Sequence, residues 1–230
     1  MTKYVASVSF GKDSLAMLLK IIEFGYPLDE VVFYDTGMEF QAIYNIRDKV
    51  KVMLDDLGIK YTELKPKYDF EWQMFEKPIN VGKENFHLGH SWCGGVCRWG
   101  TRDKLDTIEK HCKGCVEYVG IAADEQKRLA KERKGTKVFP LAELGMTEQD
   151  CLAYCYSKGF CWNENGVELY DILDRVSCWC CCNKNLKELK NIYLYLPEYW
   201  EKLKDLQRRT ARPMKGEGKS VFDLEKRFKQ

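Results

Sequence analysis

Six residues near the start of the chain, Ser9-Phe10-Gly11-Lys12-Asp13-Ser14, carry groups suited to a polyphosphate. Lys12 can sit on a phosphate as a point charge, Asp13 can hold Mg2+, and Ser9 and Ser14 can donate hydroxyls. Cysteine is the second chemical resource, with eleven in the chain. Two segments are thiol-rich: Trp92-Cys93-Gly94-Gly95-Val96-Cys97-Arg98 and Arg175-Val176-Ser177-Cys178-Trp179-Cys180-Cys181-Cys182. Four thiolates drawn from two loops are what a tetrahedral zinc or a 4Fe-4S cluster requires.

These groups need elements to position them. Tyr4-Val5-Ala6-Ser7-Val8 is β-branched and aromatic, which predicts a buried strand. Leu15 to Ile22 is apolar and rich in helix formers, which predicts a core-facing helix. A small polar turn between strand and helix N-terminus is an anion site, because unpaired N–H groups and the helix dipole point out of it. The spacing is too short for a Walker A loop. A second strand is predicted at Val31-Val32-Phe33-Tyr34, followed at once by the turn Asp35-Thr36-Gly37-Met38-Glu39-Phe40. Residues 41–57 read as a long helix with Gly58 closing it, and 59–64 as a third strand. Strands separated by helices predict a parallel sheet, and ligands in such sheets bind beyond the carboxyl ends of the strands. Both turns follow strand ends, so both are placed to line one nucleotide. Asp35 can accept from a ribose hydroxyl, join a metal site, or cap the helix after it.

Composition bounds the rest. With 230 residues the chain can bury one sizeable core. Its 45% hydrophobic and 31% charged content excludes a disordered chain, while a formal charge of +2 selects no partner class. No apolar run approaches the roughly 20 residues that span a bilayer, and the N-terminus lacks the apolar region of a signal peptide. A cytoplasmic protein without membrane association is therefore expected, and its cysteines read as ligands or reactive thiols rather than disulfides.

The hexapeptide resembles the PP-loop of the N-type ATP pyrophosphatases, usually written S-G-G-K-D-S, with Phe10 standing where a glycine is usual. The pattern D-T-G-x-x-F at Asp35–Phe40, followed by a helix carrying Tyr44 and Arg47, is similar to the phosphoadenosine phosphosulfate (PAPS) reductase-like branch. That branch includes sulfonucleotide reductases, the nucleotide-adenylating subunit of sulfate adenylyltransferase and DNA phosphorothioation enzymes. Tyr118-Val119-Gly120-Ile121-Ala122-Ala123-Asp124-Glu125 with Lys127 and Arg128 resembles its G-I-R-x-D-E-S-x-x-R stretch, although Ala122 occupies the usual arginine position. Val138-Phe139-Pro140-Leu141 with Met146-Thr147-Glu148-Gln149-Asp150 is similar to its P-L…W-T-E-x-D-V run into a helix, where Thr147 and Asp150 also fit a capping box. The resemblance implies an α/β, Rossmann-like adenine-nucleotide-binding domain over residues 1–182, with a mostly parallel twisted sheet flanked by helices. A small, basic, helical C-terminal extension over 183–230 would pack on it. Nucleotide contacts are implied at Ser9, Phe10, Gly11, Lys12, Asp13, Ser14, Asp35, Thr36, Gly37 and Gly120.

In members that hold a cluster, ligands come from a cysteine segment followed by arginine and from a distant C-x-x-C. By position this implies Cys97, Cys178 and Cys181, with Cys93 as the fourth ligand. Cys180 and Cys182 lie beside them and can substitute or stay free, and a zinc staple is the alternative to iron–sulfur. Cys112 and Cys115 have the spacing of a redox dithiol or half a zinc site. No second pair lies nearby, so they are expected to be incidental thiols. Cys151 and Cys155 are expected in the core, and His87 and His90 in a solvated loop.

Beyond Asn185, Leu186, Leu189, Ile192 and Tyr193 keep helical spacing, and Pro197 begins a second helix. From Glu201 to Gln230 ten Lys or Arg stand against five Asp or Glu. Such a stretch can track a phosphate backbone, and it is also how an ordinary solvated surface reads.

A sulfonucleotide reductase attacks a nucleotide that is already sulfated, using a cysteine in a terminal E-C-G-(I/L)-H motif, and does not need the lysine and aspartate of the loop. This sequence keeps Lys12-Asp13-Ser14 and shows no cysteine after Cys182. The expected function is therefore a PP-loop enzyme that binds Mg2+·ATP and adenylates an acceptor with release of pyrophosphate. Sulfur transfer (thiolation) assisted by a cysteine-bound 4Fe-4S cluster is the expected purpose. Lys12, Asp13, Arg98 and Arg128 are the expected catalytic residues. The alternatives are a thiol-dependent reductase of a sulfated adenine nucleotide, and a non-catalytic nucleotide-binding protein with a structural zinc. The partners implied are an adenine nucleotide and an unidentified acceptor, with nucleic acid along the basic C-terminal segment among the options. A homodimer is left open.

Overall fold

The computed structural model describes residues 2–230. Its first half runs β1 (Tyr4–Ser7), α1 (Lys12–Glu23), β2 (Glu30–Tyr34), α2 (Gln41–Asp56), β3 (Lys60–Leu64), β4 (Pro78–Ile79), β5 (His87–Leu88) and α3 (Lys104–His111). There follow β6 (Val116–Val119), α4 (Gln126–Leu129), β7 (Thr136–Val138), α5 (Pro140–Glu143) and α6 (Glu148–Ser157). The last stretch contains β8 (Asn163–Glu164), β9 (Val167–Glu168), α7 (Leu169–Ile172), α8 (Leu186–Tyr195), α9 (Pro197–Arg208) and α10 (Val221–Phe228). Among the described residues no helix is long and apolar enough to cross a membrane.

The chain divides into two compact units. The first takes the residues up to Asp35 with Gln41–Lys65 and Lys104–Trp162. Its core is a five-stranded sheet in the order β3-β2-β1-β6-β7, parallel throughout. All five residues of β2 are buried, as a parallel strand covered on both faces requires. The order runs outward from β1 in one direction through β2 and β3 and in the other through β6 and β7. The switch therefore lies between β1 and β6, and the crevice beyond their carboxyl ends is the place where such sheets bind ligands. The α/β, Rossmann-like architecture expected from the sequence is the one observed. Helix α2 stops where Gly58 permits: its φ is +67°, its N–H reaches the carbonyl of Asp55 at 3.1 Å, and Ile59 N–H reaches that of Leu54 at 2.9 Å. Helix α6 opens on the predicted capping box, with Asp150 N–H donating to the Thr147 hydroxyl and Thr147 N–H to the Asp150 carboxylate.

The second unit is assembled from Thr36–Phe40, Pro66–Asp103 and Asn163–Gln230. Helices α8, α9 and α10 pack together around Trp200, whose ring meets Tyr193 at 5.5 Å and Phe228 at 5.7 Å between centroids. Asn185 and Ser220 supply capping boxes for α8 and α10, each worth roughly 0.5–2 kcal/mol, and Pro197 occupies the first turn of α9 as expected. The helix anticipated after the first cysteine segment begins as a wide π-type turn, Arg98–Asp103, before α3. Nothing in the local sequence marks that wider turn, which contains Gly100.

Candidate functional site

The residues of the predicted phosphate loop form a closed turn. Ser9 N–H donates to the Ser14 hydroxyl at 3.1 Å, the two hydroxyls are 3.1 Å apart, and Ser14 donates in turn to the Gly11 carbonyl at 3.1 Å. Phe10, in the place of the usual glycine, has φ +58° and a fully buried ring 5.0 Å from that of Phe33. A left-handed phenylalanine is strained, and burial of a large ring together with a hydrogen bond from Trp162 Nε1 to its carbonyl (2.8 Å) holds it there. Gly120 lies against the loop: a Cβ there would stand 2.7 Å from Ser14 Cα and 2.9 Å from Ser14 N. This explains glycine at that position through packing on the loop.

Lys12, the first residue of α1, is almost fully buried. Its ammonium pairs with Asp13 at 3.1 Å and with Glu148. Burial would lower the Lys12 pKa, but the hydrogen bond to Glu148 and the charge of Asp13 outweigh it and raise it. The Asp13 carboxyl is itself pushed up, chiefly by burial, against the pull of Lys12. Glu148 is the residue that sequence reasoning missed. In the sequence it stands within the run that resembles the family's W-T-E-x-D-V, with no role of its own; here its N–H is held by Asp124 Oδ1 at 3.1 Å and its carboxylate is turned onto Lys12.

The Tyr44 hydroxyl donates to Asp35 Oδ1 at 2.8 Å, which orients the carboxylate at the end of β2. Arg128 is half exposed and forks onto Glu125 at 2.6 and 2.7 Å. These groups belong to the first unit. Arg98 is exposed and belongs to the second, as do Thr36 and Gly37. The Thr36 hydroxyl, expected toward nucleotide, donates to Glu39 at 3.0 Å and lies 3.4 Å from Cys178 Sγ.

The cysteines of the second unit come together. Cys93, Cys97, Cys178, Cys180, Cys181 and Cys182 all line one cavity of about 400 Å3. The four that the family pattern singles out, Cys93, Cys97, Cys178 and Cys181, are half-buried, while Cys180 and Cys182 are buried. The sulfurs of Cys97 and Cys178 would lie 3.6 and 3.8 Å from a Cβ at Gly100, so glycine keeps that side of the cavity open to both. Backbone donors serve the sulfurs: Gly100 N–H reaches Cys97 Sγ at 3.4 Å and Arg98 N–H reaches Cys93. Burial raises the thiol pKa of both Cys93 and Cys97, and these N–H groups oppose the shift. Donor number, softness and N–H donors suit an iron–sulfur cluster or zinc. Among the described residues, however, no three His, Cys, Asp or Glu side chains are gathered into a formed metal site.

The two cysteine loops are tied to each other directly. Asn183 Nδ2 donates to the Gly95 carbonyl at 2.8 Å, Gly95 N–H donates to Asn183 Oδ1 at 2.9 Å, and Cys182 Sγ donates to the Cys93 carbonyl at 2.9 Å. Lys215 clamps the same segment through the carbonyls of Cys182 and Lys184 at 2.7 and 2.8 Å. Of the basic residues in the stretch from Glu201 to Gln230, Arg208 pairs with Asp205, and Arg209 pairs with Glu71 over the ring of Phe75. His90, expected in solvent, is partly buried beside Trp99, and burial pulls its pKa down.

The family model for the phosphoadenosine phosphosulfate reductase domain matches residues 3–182, and the chain belongs to that family within the PP-loop superfamily. Two uncharacterised proteins of Methanocaldococcus jannaschii are similar to it. One is 26% identical, covering 90% of this chain and 42% of its own length. The other is 28% identical, covering 90% and 48%. The chain therefore spans less than half the length of either curated relative. Among solved structures, the U34-tRNA thiolase of Methanococcus maripaludis with its 4Fe-4S cluster aligns with 99% of this chain and 70% of its own. That alignment has 15% identity and a TM-score of 0.46.

Proposed function

We propose that the chain is a PP-loop enzyme that binds Mg2+·ATP, adenylates an acceptor with release of pyrophosphate, and does so for sulfur transfer. The observation that carries this reading is the closed Ser9–Ser14 turn with Lys12 buried at the start of α1 between two carboxylates. An adenylating enzyme needs that cation, because cleavage between the α- and β-phosphates develops negative charge on pyrophosphate, and a carboxylate beside it would serve by holding Mg2+. In this reading the turn's N–H groups and Lys12 hold the β- and γ-phosphates. Asp13 and Asp35 would hold Mg2+, and Arg128 would release Glu125 to meet an acidic acceptor. Catalysis then rests on alignment and neutralisation of charge. Cys93, Cys97, Cys178 and Cys181 would hold a 4Fe-4S cluster, with zinc as the other metal of suitable softness. A cluster there would supply a thiophilic metal for the sulfur being transferred.

The experiment is pyrophosphate release from Mg2+·ATP by the purified chain, with and without sulfide and nucleic-acid acceptors. Loss of release in Lys12→Ala with unchanged unfolding supports the reading, and unchanged turnover in that variant overturns it. Family membership favours one second reading, reduction of a sulfated adenine nucleotide by a thiol, for which sulfite release is the test.

A further inference from the structure

The first unit contains two thiols that the reading above does not use. Cys112-Lys113-Gly114-Cys115 joins α3 to β6, at the end of that strand opposite Gly120. Cys112 N–H closes the helix on the Ile108 carbonyl at 2.8 Å. Cys115 N–H then returns to the Cys112 carbonyl at 3.0 Å, and Gly114 at φ +81° makes the tight reversal possible. A hydrogen-bonded turn of this kind holds its first and last Cα atoms within about 7 Å, and a disulfide needs about 4.4–6.8 Å. The side chains also share one side of the turn. Cys112 is part of a buried cluster with Val5, Val32, Tyr34 and Ile108, and Cys115 packs against the same cluster from a partly buried position. Both residues line a cavity of about 470 Å3 whose rim carries Lys110, Lys113, Lys134 and Lys137 against Asp106, Glu109 and Glu117.

We propose that Cys112 and Cys115 form a dithiol site, separate from the cavity lined by Cys93, Cys97, Cys178, Cys180, Cys181 and Cys182, that exchanges with small anionic disulfides and closes into an intrachain disulfide. Exposure sets the order of events. Cys115 gives its proton to solvent and its sulfur attacks one sulfur of the small disulfide. That S–S bond breaks, and the first small thiol leaves after taking up a proton. The mixed disulfide on Cys115 then receives the sulfur of Cys112, which loses its proton and displaces the second small thiol. Two protein thiols are oxidised and one disulfide is reduced to two thiols. Cys112 is the later partner because it is buried, and burial pushes its thiol up to about 12. The four lysines of the rim outnumber its three carboxylates: Glu117 is paired with Lys137 and Glu109 lies 3.9 Å from Lys134, while Lys110 and Lys113 are exposed, which favours a disulfide that carries carboxylates.

The test uses the full chain and oxidised glutathione as the probe. After incubation the remaining thiols are blocked, the protein is unfolded and it is digested with trypsin. Lys113 stands between the two cysteines, so trypsin places them on separate peptides unless a disulfide joins them. The expected product is the joined pair, lighter by two hydrogens than its separate peptides. Cys112→Ser should trap glutathione on Cys115, and Cys115→Ser should leave Cys112 blocked as a free thiol. Recovery of both cysteines as separate blocked peptides while the exposed Cys161 is oxidised overturns the proposal. Failure of Cys112→Ser to trap an adduct on Cys115 overturns it equally.

Discussion

Trp162 Nε1 donates to the carbonyl of Phe10 at 2.8 Å, and both side chains are fully buried. The bond spans 152 positions of sequence and ends on the one residue of the phosphate loop with strained φ. It fixes the peptide that precedes Gly11 and Lys12, and so the direction in which the turn presents its N–H groups. The indole is thus a support of the candidate site although it carries no chemistry itself.

Phe10→Gly restores the residue usual in the resembling loops, yet the chain should lose stability. Relief of left-handed strain returns about 1–2 kcal/mol, whereas emptying a buried phenylalanine site costs about 3–5 kcal/mol. A net loss of roughly 1–4 kcal/mol in denaturant unfolding is expected. Trp162→Phe should cost about 1–3 kcal/mol by leaving the Phe10 carbonyl buried without its donor.

Gly120→Ala should weaken ATP binding with the fold retained, because every close neighbour of the new Cβ is backbone of Asp13 or Ser14 and the loop must shift. Gly100→Ala makes only ordinary contacts, with the sulfurs of Cys97 and Cys178. Its stability should stay within about 1 kcal/mol of the parent while metal content falls. Calorimetric titration with ATP and metal analysis separate the two effects.

Metal content assigns the ligands. In protein purified without oxygen, Ser at Cys93, Cys97, Cys178 or Cys181 should each lower bound iron and sulfide, or zinc, to less than half. Ser at the buried Cys180 should leave it near the parent value. Equal loss at every position would mean that the thiols serve packing rather than coordination.

Glu30 makes stability depend on acid. Burial alone would raise its pKa, but hydrogen bonds from Lys3, Thr62, Lys60 and His111 hold it at about 2. A lowered carboxyl contributes stability fully above its unfolded value, near 4.5, and loses that contribution as pH falls toward 2. The contribution is on the order of 3 kcal/mol at neutral pH. Urea midpoints should drop between pH 5 and pH 2 in the parent and fall less steeply in Glu30→Gln.

Local signals make much of the fold legible in the sequence. Gly58 ends α2, Thr147 and Asp150 cap α6, and Pro197 opens α9 because glycine, capping pairs and proline act over one turn of backbone. Alternating strands and helices were enough for a parallel sheet. The pairing of Lys12 with Glu148 was not legible, since 136 positions separate them and a glutamate after a capping threonine reads as surface. The tie between Asn183 and Gly95 escaped for the same reason. Conversely, His90 read as solvated because nothing adjacent shows that Trp99 folds over it.

The second unit draws on three separated stretches of chain, and Lys215 fastens the carbonyls of the Cys182–Lys184 segment. During synthesis the first thiol pair leaves the ribosome long before the second, and the lysine that steadies the second emerges later still. Each doubling of the intervening loop adds only about 0.6 kcal/mol of closure entropy, so the finished unit bears little thermodynamic penalty. Its burden is temporal: the first unit can fold while Cys93 and Cys97 wait uncommitted, exposed to stray metals and oxidants. The thiol cavity can thus close only late, once the Cys178–Cys182 segment has been made.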